Sequence, residues 1–153
     1  NPALHGMGTT LVVTHVEDGK AVFCHVGDSR GYLYRDNVLE QVTTDHSVVQ
    51  QLVDDGIMTA EEARVAPNRN IITRAIGAEP TVIADVEERD LRDGDLILLC
   101  ADGLSDLLAP EQIETLVREN ASDLDAAASS LVEAANDAGG TDNITVVISE
   151  YRQ

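Results

Sequence analysis

The sequence is poor in aromatic residues and in basic residues, and both shortages narrow what the chain can do. It contains no Trp, one Phe and three Tyr among 153 residues, so its core must rest mainly on Val, Leu, Ile and Ala. Ten Lys and Arg stand against 28 Asp and Glu, which gives a formal net charge of −18. A field of this sign repels phosphodiester backbones and anionic lipids, so it argues against nucleic-acid and membrane-surface partners.

Cysteine and long apolar runs are also scarce. Cys24 and Cys100 both lie inside apolar stretches, where a cysteine behaves as a small buried hydrophobe. Two such cysteines and no recognisable signal peptide predict a reducing, cytoplasmic setting. No apolar run approaches the roughly 20 residues that cross a bilayer. With 43% hydrophobic and 25% charged residues, the composition is that of one globular domain.

The pattern along the chain predicts strands first and helices later. Alternating β-branched residues and Asp-containing turns predict two antiparallel hairpins in the first third, with turns at 17–20 and 36–37. Helical spacing, a C-terminal Gly56 and a Thr59–Glu62 capping box predict two short helices after Asp45. The rest of the chain predicts strands at 81–90, 96–101 and 143–151, a short helical segment at 103–108, and helices from Pro110 and after Asp123. This order predicts an α+β layered sandwich.

Three aspartates interrupt apolar strands at strand ends. Asp28 follows FCHVG, Asp102 follows ILLCA, and Asp142 precedes NITVVI, each beside or near glycine. If these strands are neighbours, the carboxylates meet at one edge and repel one another unless a cation neutralises them. Carboxylates with water suit Mg and Mn. Taken singly, Asp28 or Asp106 is equally well explained as a turn residue or a helix cap.

Six short motifs, which occur in a fixed order, strengthen the metal hypothesis. They run from about Met7 to Ile148 and read MGTT, VGDSRGYL, TTDHS, NIITRAIG, LLCADGLSDLL and GGTDNITVVI. Together they resemble the metal-dependent Ser/Thr protein phosphatases of type 2C, also called PPM, in their bacterial form. The resemblance covers nearly the whole chain.

The resemblance implies a fold, a cofactor and a reaction. The implied fold is a four-layer αββα sandwich, in which two antiparallel sheets are flanked by helices. The implied cofactor is Mg or Mn, with two ions in the complete site and room for a third. The implied reaction is hydrolysis of phosphoserine and phosphothreonine in proteins by a metal-activated water. The implied partners are phosphoproteins that a Ser/Thr kinase has modified.

The resemblance also assigns roles to individual residues. Asp102 and Asp142 correspond to ligands of the binuclear pair, and Asp28 corresponds to a position that holds a third metal together with Asp102. Asp106 contributes to that third site directly or through water, with helix capping as the alternative. Gly103 lets the chain turn beside Asp102, and Asn143 orients Asp142. No catalytic side chain beyond the metal ligands is implied.

Other polar residues receive structural roles. His46 is not assigned as a general acid, because the family's catalytic histidine belongs to the N-terminal part. We expect Arg30 to be a structural ion-pair partner. Residues 47–68 correspond to the flap that borders the family's active site and affects substrate choice.

One departure from the family pattern concerns the start of the chain. A full family member begins with a segment that carries a phosphate-binding Arg and a metal-bridging Asp in D-G-M-G-G. In HGMGTT, His5 stands where that Asp is needed and Thr9 replaces a glycine. We therefore expect residues 1–153 to be the C-terminal portion of a catalytic domain, weakly active or inactive alone. Exposed strand edges would then favour self-association or completion by another segment.

A second hypothesis is a phosphatase-like module that binds or regulates without catalysis. Intact Asp28, Asp102 and Asp142 favour the enzyme, since a degenerate module has no need of them.

Overall fold

Strands and helices follow one another along residues 6–153, the part of the chain that the computed structural model describes. The strands are β1 (Leu11–Glu17), β2 (Lys20–Val26), β3 (Arg30–Arg35), β4 (Val38–Gln41), β5 (Asp85–Asp90), β6 (Leu96–Cys100) and β7 (Val146–Glu150). The helices are α1 (Val48–Asp54), α2 (Ala60–Val65), α3 (Asp102–Ser105), α4 (Pro110–Glu119) and α5 (Leu124–Asp137).

The first sheet has three antiparallel strands in the order β1-β2-β5. The predicted hairpin between β1 and β2 is present, and Asp18 adopts a positive φ of 49° in its turn. The strand predicted at 81–90 begins only at Asp85, which pairs with His25. Because β2 ends at Val26, residues 81–84 extend past the end of their partner strand and are not paired with it. Ile83 is accordingly exposed.

The second sheet has four antiparallel strands in the order β4-β3-β6-β7. Its hairpin turns at Asp36 and Asn37, both with positive φ, as the sequence predicts. The final strand begins at Val146, not at 143, because its partner β6 ends at Cys100. Beyond that pair the chain leaves the strand direction to form α3. The pairing of residues 143–145 with this segment is reduced to the 3.1 Å hydrogen bond from the Ala101 N–H to the Thr145 carbonyl.

The two sheets pack face to face, and helices cover the outer face of the four-stranded sheet. Aliphatic residues and Phe23 fill the space between the sheets, and a larger apolar cluster lies between the second sheet and the helices. In α5 the fully buried residues are Ala127, Leu131 and Ala135, which form the face of the helix that packs on the sheet. Sheet, sheet and helix thus form three of the four expected layers within residues 6–153.

Two short helices, α1 and α2, form a unit beside the sandwich. Ser47 and Thr59 cap them, and the Thr59–Glu62 capping box is formed as predicted. Burial of Val49, Ala63 and Ala66 gives this unit a small apolar cluster of its own.

Candidate functional site

A cleft of about 170 Å³ lies between the ends of β2 and β6 and the α1–α2 unit. Its polar lining includes Asp28, Arg30, Asp45, Arg69, Asp102 and Asp106, and its apolar lining includes Val49, Val53, Ala60 and Ala63. Three of the four predicted metal ligands, Asp28, Asp102 and Asp106, are therefore brought together.

Asp28 enters the cleft from the turn that follows β2. Gly27 precedes it with φ of +106°, and a Cβ at Gly27 would lie 2.3 Å from Thr10 Cγ2. Only glycine fits there, since the backbone is left-handed and in close contact with Thr10. Burial, followed by the negative charge of Asp102, raises the pKa of Asp28 to about 6. A carboxyl held this way in a cluster of like charges binds a cation readily, because the cation removes the repulsion.

Asp102 is carried by the end of a buried strand. The strand β6 pairs with β3 and β7 and positions Asp102 as the first residue of α3. One carboxylate oxygen, Oδ1, accepts a 2.9 Å hydrogen bond from the N–H of Gly103, which fixes the side-chain direction and leaves lone pairs for a cation.

Asp106 lies one helical turn further on, at the C-terminal cap of α3. Its N–H donates to the carbonyl of Asp102 at 2.8 Å, and its carboxylate lies 3.8 Å from Nε of Arg69. Burial, followed by the charge of Asp102, raises the pKa of Asp106, and Arg69 acts in the opposite direction. The neighbouring helices α3 and α4 have Ala101 and Ala109 at their N-caps, so within residues 6–153 helix capping does not account for the position of Asp106 in the cleft.

Asp142 does not line the cleft. Its side chain is exposed, and its Oδ1 accepts a 2.7 Å hydrogen bond from the N–H of Asn143. The backbone nevertheless brings this turn against Asp102, since a Cβ at Gly103 would lie 2.4 Å from the carbonyl oxygen of Asn143. Gly103 and Asn143, predicted as supporting residues, thus meet where the LLCADGLSDLL and GGTDNITVVI motifs contact each other.

The donor set suits a hydrated divalent cation. Within residues 6–153, no three His, Cys, Asp or Glu side chains are arranged to ligate one metal ion. Two or three carboxylates in a polar cleft still fit Mg or Mn, which are usually bound by one or two carboxylates with several waters. The missing Cβ of Gly103 lets the backbone of Asn143, the neighbour of Asp142, approach the start of α3 beside Asp102.

A partly buried ion pair forms one wall of the cleft. Arg30 donates from Nε and Nη2 to Asp45, with the shortest distance 2.6 Å. The structure therefore gives Arg30 the ion-pair role that the sequence predicted. Sequence reasoning did not find Asp45 or Arg69 as cleft residues. The Arg in GDSR implies an acidic partner, but no local signal says which of 28 acids it is.

The comparisons with known proteins identify the class. A family model described as Protein phosphatase 2C matches residues 54–144. The chain belongs to this family of Ser/Thr protein phosphatases, as the six motifs predicted. A serine/threonine phosphatase of Listeria welshimeri is 40% identical over 147 residues, which are 96% of this chain and 58% of that protein. The chain thus spans less than two thirds of that curated relative.

Solved structures agree with this assignment. The Mycobacterium tuberculosis serine/threonine phosphatase PstP matches with a TM-score of 0.93 and 41% identity over 99% of this chain and 63% of that one. A structure of the PstP catalytic domain in complex with two manganese ions matches with a TM-score of 0.88 and 40% identity, covering 99% and 62%. The predicted α+β class with two antiparallel sheets and flanking helices is confirmed, and dependence on a divalent metal belongs to the family.

His5 lies outside the described residues. None of the helices in residues 6–153 combines the length and apolar composition that a bilayer crossing requires.

Proposed function

We propose that this chain forms part of the catalytic domain of a Mg- or Mn-dependent phosphatase that hydrolyses phosphoserine and phosphothreonine in proteins. The observation that carries the proposal is the convergence of Asp28, Asp102 and Asp106 on one cleft in a member of the 2C family. Carboxylates placed this close repel one another, which costs folding free energy, and a bound divalent cation would remove that repulsion.

The chain's own side chains would bind and orient the metal ions. In this proposal Asp102 and Asp142 hold the binuclear pair, and Asp28 with Asp102 and Asp106 holds a third ion. Metal ions bound there would lower the pKa of a water and neutralise charge on the phosphoryl group. The Arg30–Asp45 pair holds the cleft wall in place, and Gly103 keeps Asn143 and the Asp142 turn against α3.

The substrate would be a phosphorylated segment of a protein, modified by a Ser/Thr kinase in the cytoplasm. Residues 47–68 would act as a flap that contributes to substrate choice, since Val49, Val53, Ala60 and Ala63 line one side of the cleft. An apolar wall opposite a carboxylate cluster suits a peptide whose phosphate faces the metals and whose side chains contact the flap.

The 153 residues alone would hydrolyse such substrates weakly or not at all. The family resemblance assigns the metal-bridging Asp and a phosphate-binding Arg to a segment upstream of these motifs, and the chain spans 58% of its Listeria relative. A non-catalytic binding module is the alternative, and the retention of the clustered carboxylates supports the enzyme.

Phosphopeptide hydrolysis by the natural full-length protein tests the proposal. We expect phosphate release that requires Mn or Mg, stops in EDTA, and falls at least about 100-fold in Asp102→Asn, because one ligand of the metal pair is lost. Asp137→Asn is the matched control, since Asp137 is exposed at the end of α5, remote from the cleft lining. Full activity in Asp102→Asn, or no metal-dependent activity in the wild type, would overturn the proposal.

A further inference from the structure

A buried histidine contacts the turn that carries Asp28 but does not line the cleft. His46 is 6% exposed, and its N–H donates to the carbonyl of Gly27 at 2.9 Å. In return, the N–H of Gly27 donates to Nδ1 of His46 at 3.1 Å. Backbone and side chain of one residue thus hold both polar groups of the residue that precedes Asp28.

The far side of the same ring is tied to the loop and strand behind it. Because Nδ1 accepts from Gly27, the proton of the neutral ring lies on Nε2. Burial lowers the pKa of His46, which favours that neutral form. Nε2 lies 3.3 Å from Oδ2 of Asp85, and Arg74 pairs with the same carboxylate at 2.5 Å. With Nε2 protonated, the 3.2 Å approach of Arg74 Nη1 to Nε2 is a contact between two donors, so Asp85 is the hydrogen-bond acceptor for both.

Packing prevents the ring from turning. His46 stacks on the ring of His25, with centroids 4.5 Å apart and planes inclined by 27°. His25 is itself held by a 2.8 Å contact between Nε2 and the carbonyl of Thr44. On the other side of the turn, Thr10 contacts Gly27 so closely that no Cβ fits between them.

We infer that His46 is a positioning residue, which fixes the Gly27–Asp28 turn and so directs the Asp28 carboxylate toward the metal at the cleft; this inference rests on the proposed function. His46 acts through Gly27 and does not touch the reacting atoms. Its ring links the end of β2 to Asp85 at the start of β5, so the position of the turn is set by the sheet and not by the cleft. Residues that orient a metal ligand in this way change metal affinity about 10–100-fold when they are replaced.

Two substitutions distinguish the contact of Nδ1 with Gly27 from the contact of Nε2 with Asp85. In His46→Asn, the amide oxygen takes the place of Nδ1 and can still accept from Gly27. In His46→Gln, the amide reaches the place of Nε2, and the acceptor for Gly27 is lost. Titration of the natural full-length protein with Mn, followed by calorimetry, should show nearly unchanged affinity for His46→Asn and about tenfold weaker affinity for His46→Gln. Equal losses in the two variants would overturn the inference.

A double-mutant cycle with Asp28→Asn identifies the route of the effect. Once Asp28 no longer binds metal, His46→Gln should cause no further loss of Mn affinity. The same tenfold loss in both backgrounds would overturn the positioning role and indicate a general effect on the fold. Where His46→Gln fails to fold, His46→Leu takes its place, since leucine has a similar volume, also lacks an acceptor for the Gly27 N–H, and should weaken Mn binding only when Asp28 is present.

The cycle also separates this inference from the proposed function. If Asp28→Asn weakens Mn binding and His46→Gln does not, the metal site stands and the role of His46 is wrong. If Asp28→Asn leaves Mn binding unchanged, the assignment of Asp28 is wrong, and the role of His46 is wrong with it.

Discussion

Replacement of Gly103 by alanine tests whether the turn of Asn143 packs against α3 as closely as the structure shows. A Cβ at Gly103 would lie 2.4 Å from the Asn143 carbonyl oxygen and 2.9 Å from its carbon, both backbone atoms. Ordinary contact begins at 3.4 Å, so one backbone segment must move by about 1 Å. The Ala101 N–H to Thr145 C=O hydrogen bond ties the segment after Asn143 to the end of β6, and α3 is buried, so a shift of either segment disturbs existing contacts.

The magnitude follows from two opposing effects. Overpacking of this kind costs about 1–3 kcal/mol of unfolding free energy. Alanine is favoured over glycine in a helix by up to about 1 kcal/mol, which offsets part of that loss. We expect Gly103→Ala to lower the free energy of unfolding by about 1–2 kcal/mol, or the melting temperature by roughly 2–8 °C in a chain of this size. Differential scanning calorimetry in EDTA measures it without any contribution from metal.

Gly8→Ala is the matched control for Gly103→Ala. The nearest atoms to a Cβ at Gly8 lie at 3.6 Å, and its φ is not in the left-handed region. It should therefore leave stability unchanged or raise it slightly, by restricting the unfolded chain. If Gly103→Ala is as stable as the wild type, the close approach of the Asp102 and Asp142 segments is refuted.

Three further predictions concern stability. Arg30→Met leaves the partly buried Asp45 without its arginine and should cost about 1–3 kcal/mol in a urea titration. Asp45→Asn in the same chain should restore part of that loss, and no loss in the single variant would contradict the pairing. Burial alone would raise the pKa of Asp95, but its hydrogen bonds from Arg35 and from the Arg92 N–H, together with the charges of these two arginines, outweigh burial and hold the pKa below 3.8. This group therefore stabilises the fold above the unfolded pKa, and the stabilisation is lost as pH falls through the folded pKa. The deficit of Asp95→Asn at pH 7 should shrink as pH falls below 3.8 and vanish once Asp95 is protonated in the folded state, and a deficit independent of pH would contradict this. Thr59→Ala should cost about 1 kcal/mol and speed amide exchange in α2 while β6 is unaffected; unchanged exchange in α2 would show that the capping box does not stabilise it.

The order and type of most elements could be predicted from local signals. Hairpin turns with Asp or Asn in left-handed conformation, the Thr59 capping box and Pro110 at a helix start are encoded within a few residues. The strand starts at 85 and 146 could not be predicted this way. A strand begins where its partner has residues to pair with, and that depends on the ends of β2 and β6, far away in sequence.

The sequence identifies which residues form the candidate site, but not how they are arranged. Asp28, Asp102 and Asp106 carry a recognisable pattern, and the fold places them in one cleft as expected. Nothing in the sequence shows that Asp142 faces solvent while its neighbour Asn143 packs on Gly103. The link between His46 and Gly27 was also beyond local reasoning, because 19 residues separate the partners.

The measurement that tests the central claim most directly is the change in melting temperature that Mn produces in the wild type, Asp102→Asn and Asp137→Asn. Asp102 adds to the repulsion around Asp28 and Asp106, so its neutral variant should match or exceed the wild-type melting temperature in EDTA. Because a ligand that binds only the folded state stabilises it, Mn should raise the melting temperature of the wild type and of Asp137→Asn, and should leave Asp102→Asn almost unchanged. An equal rise in all three proteins would contradict the claim that Asp102 holds a metal ion at this cleft.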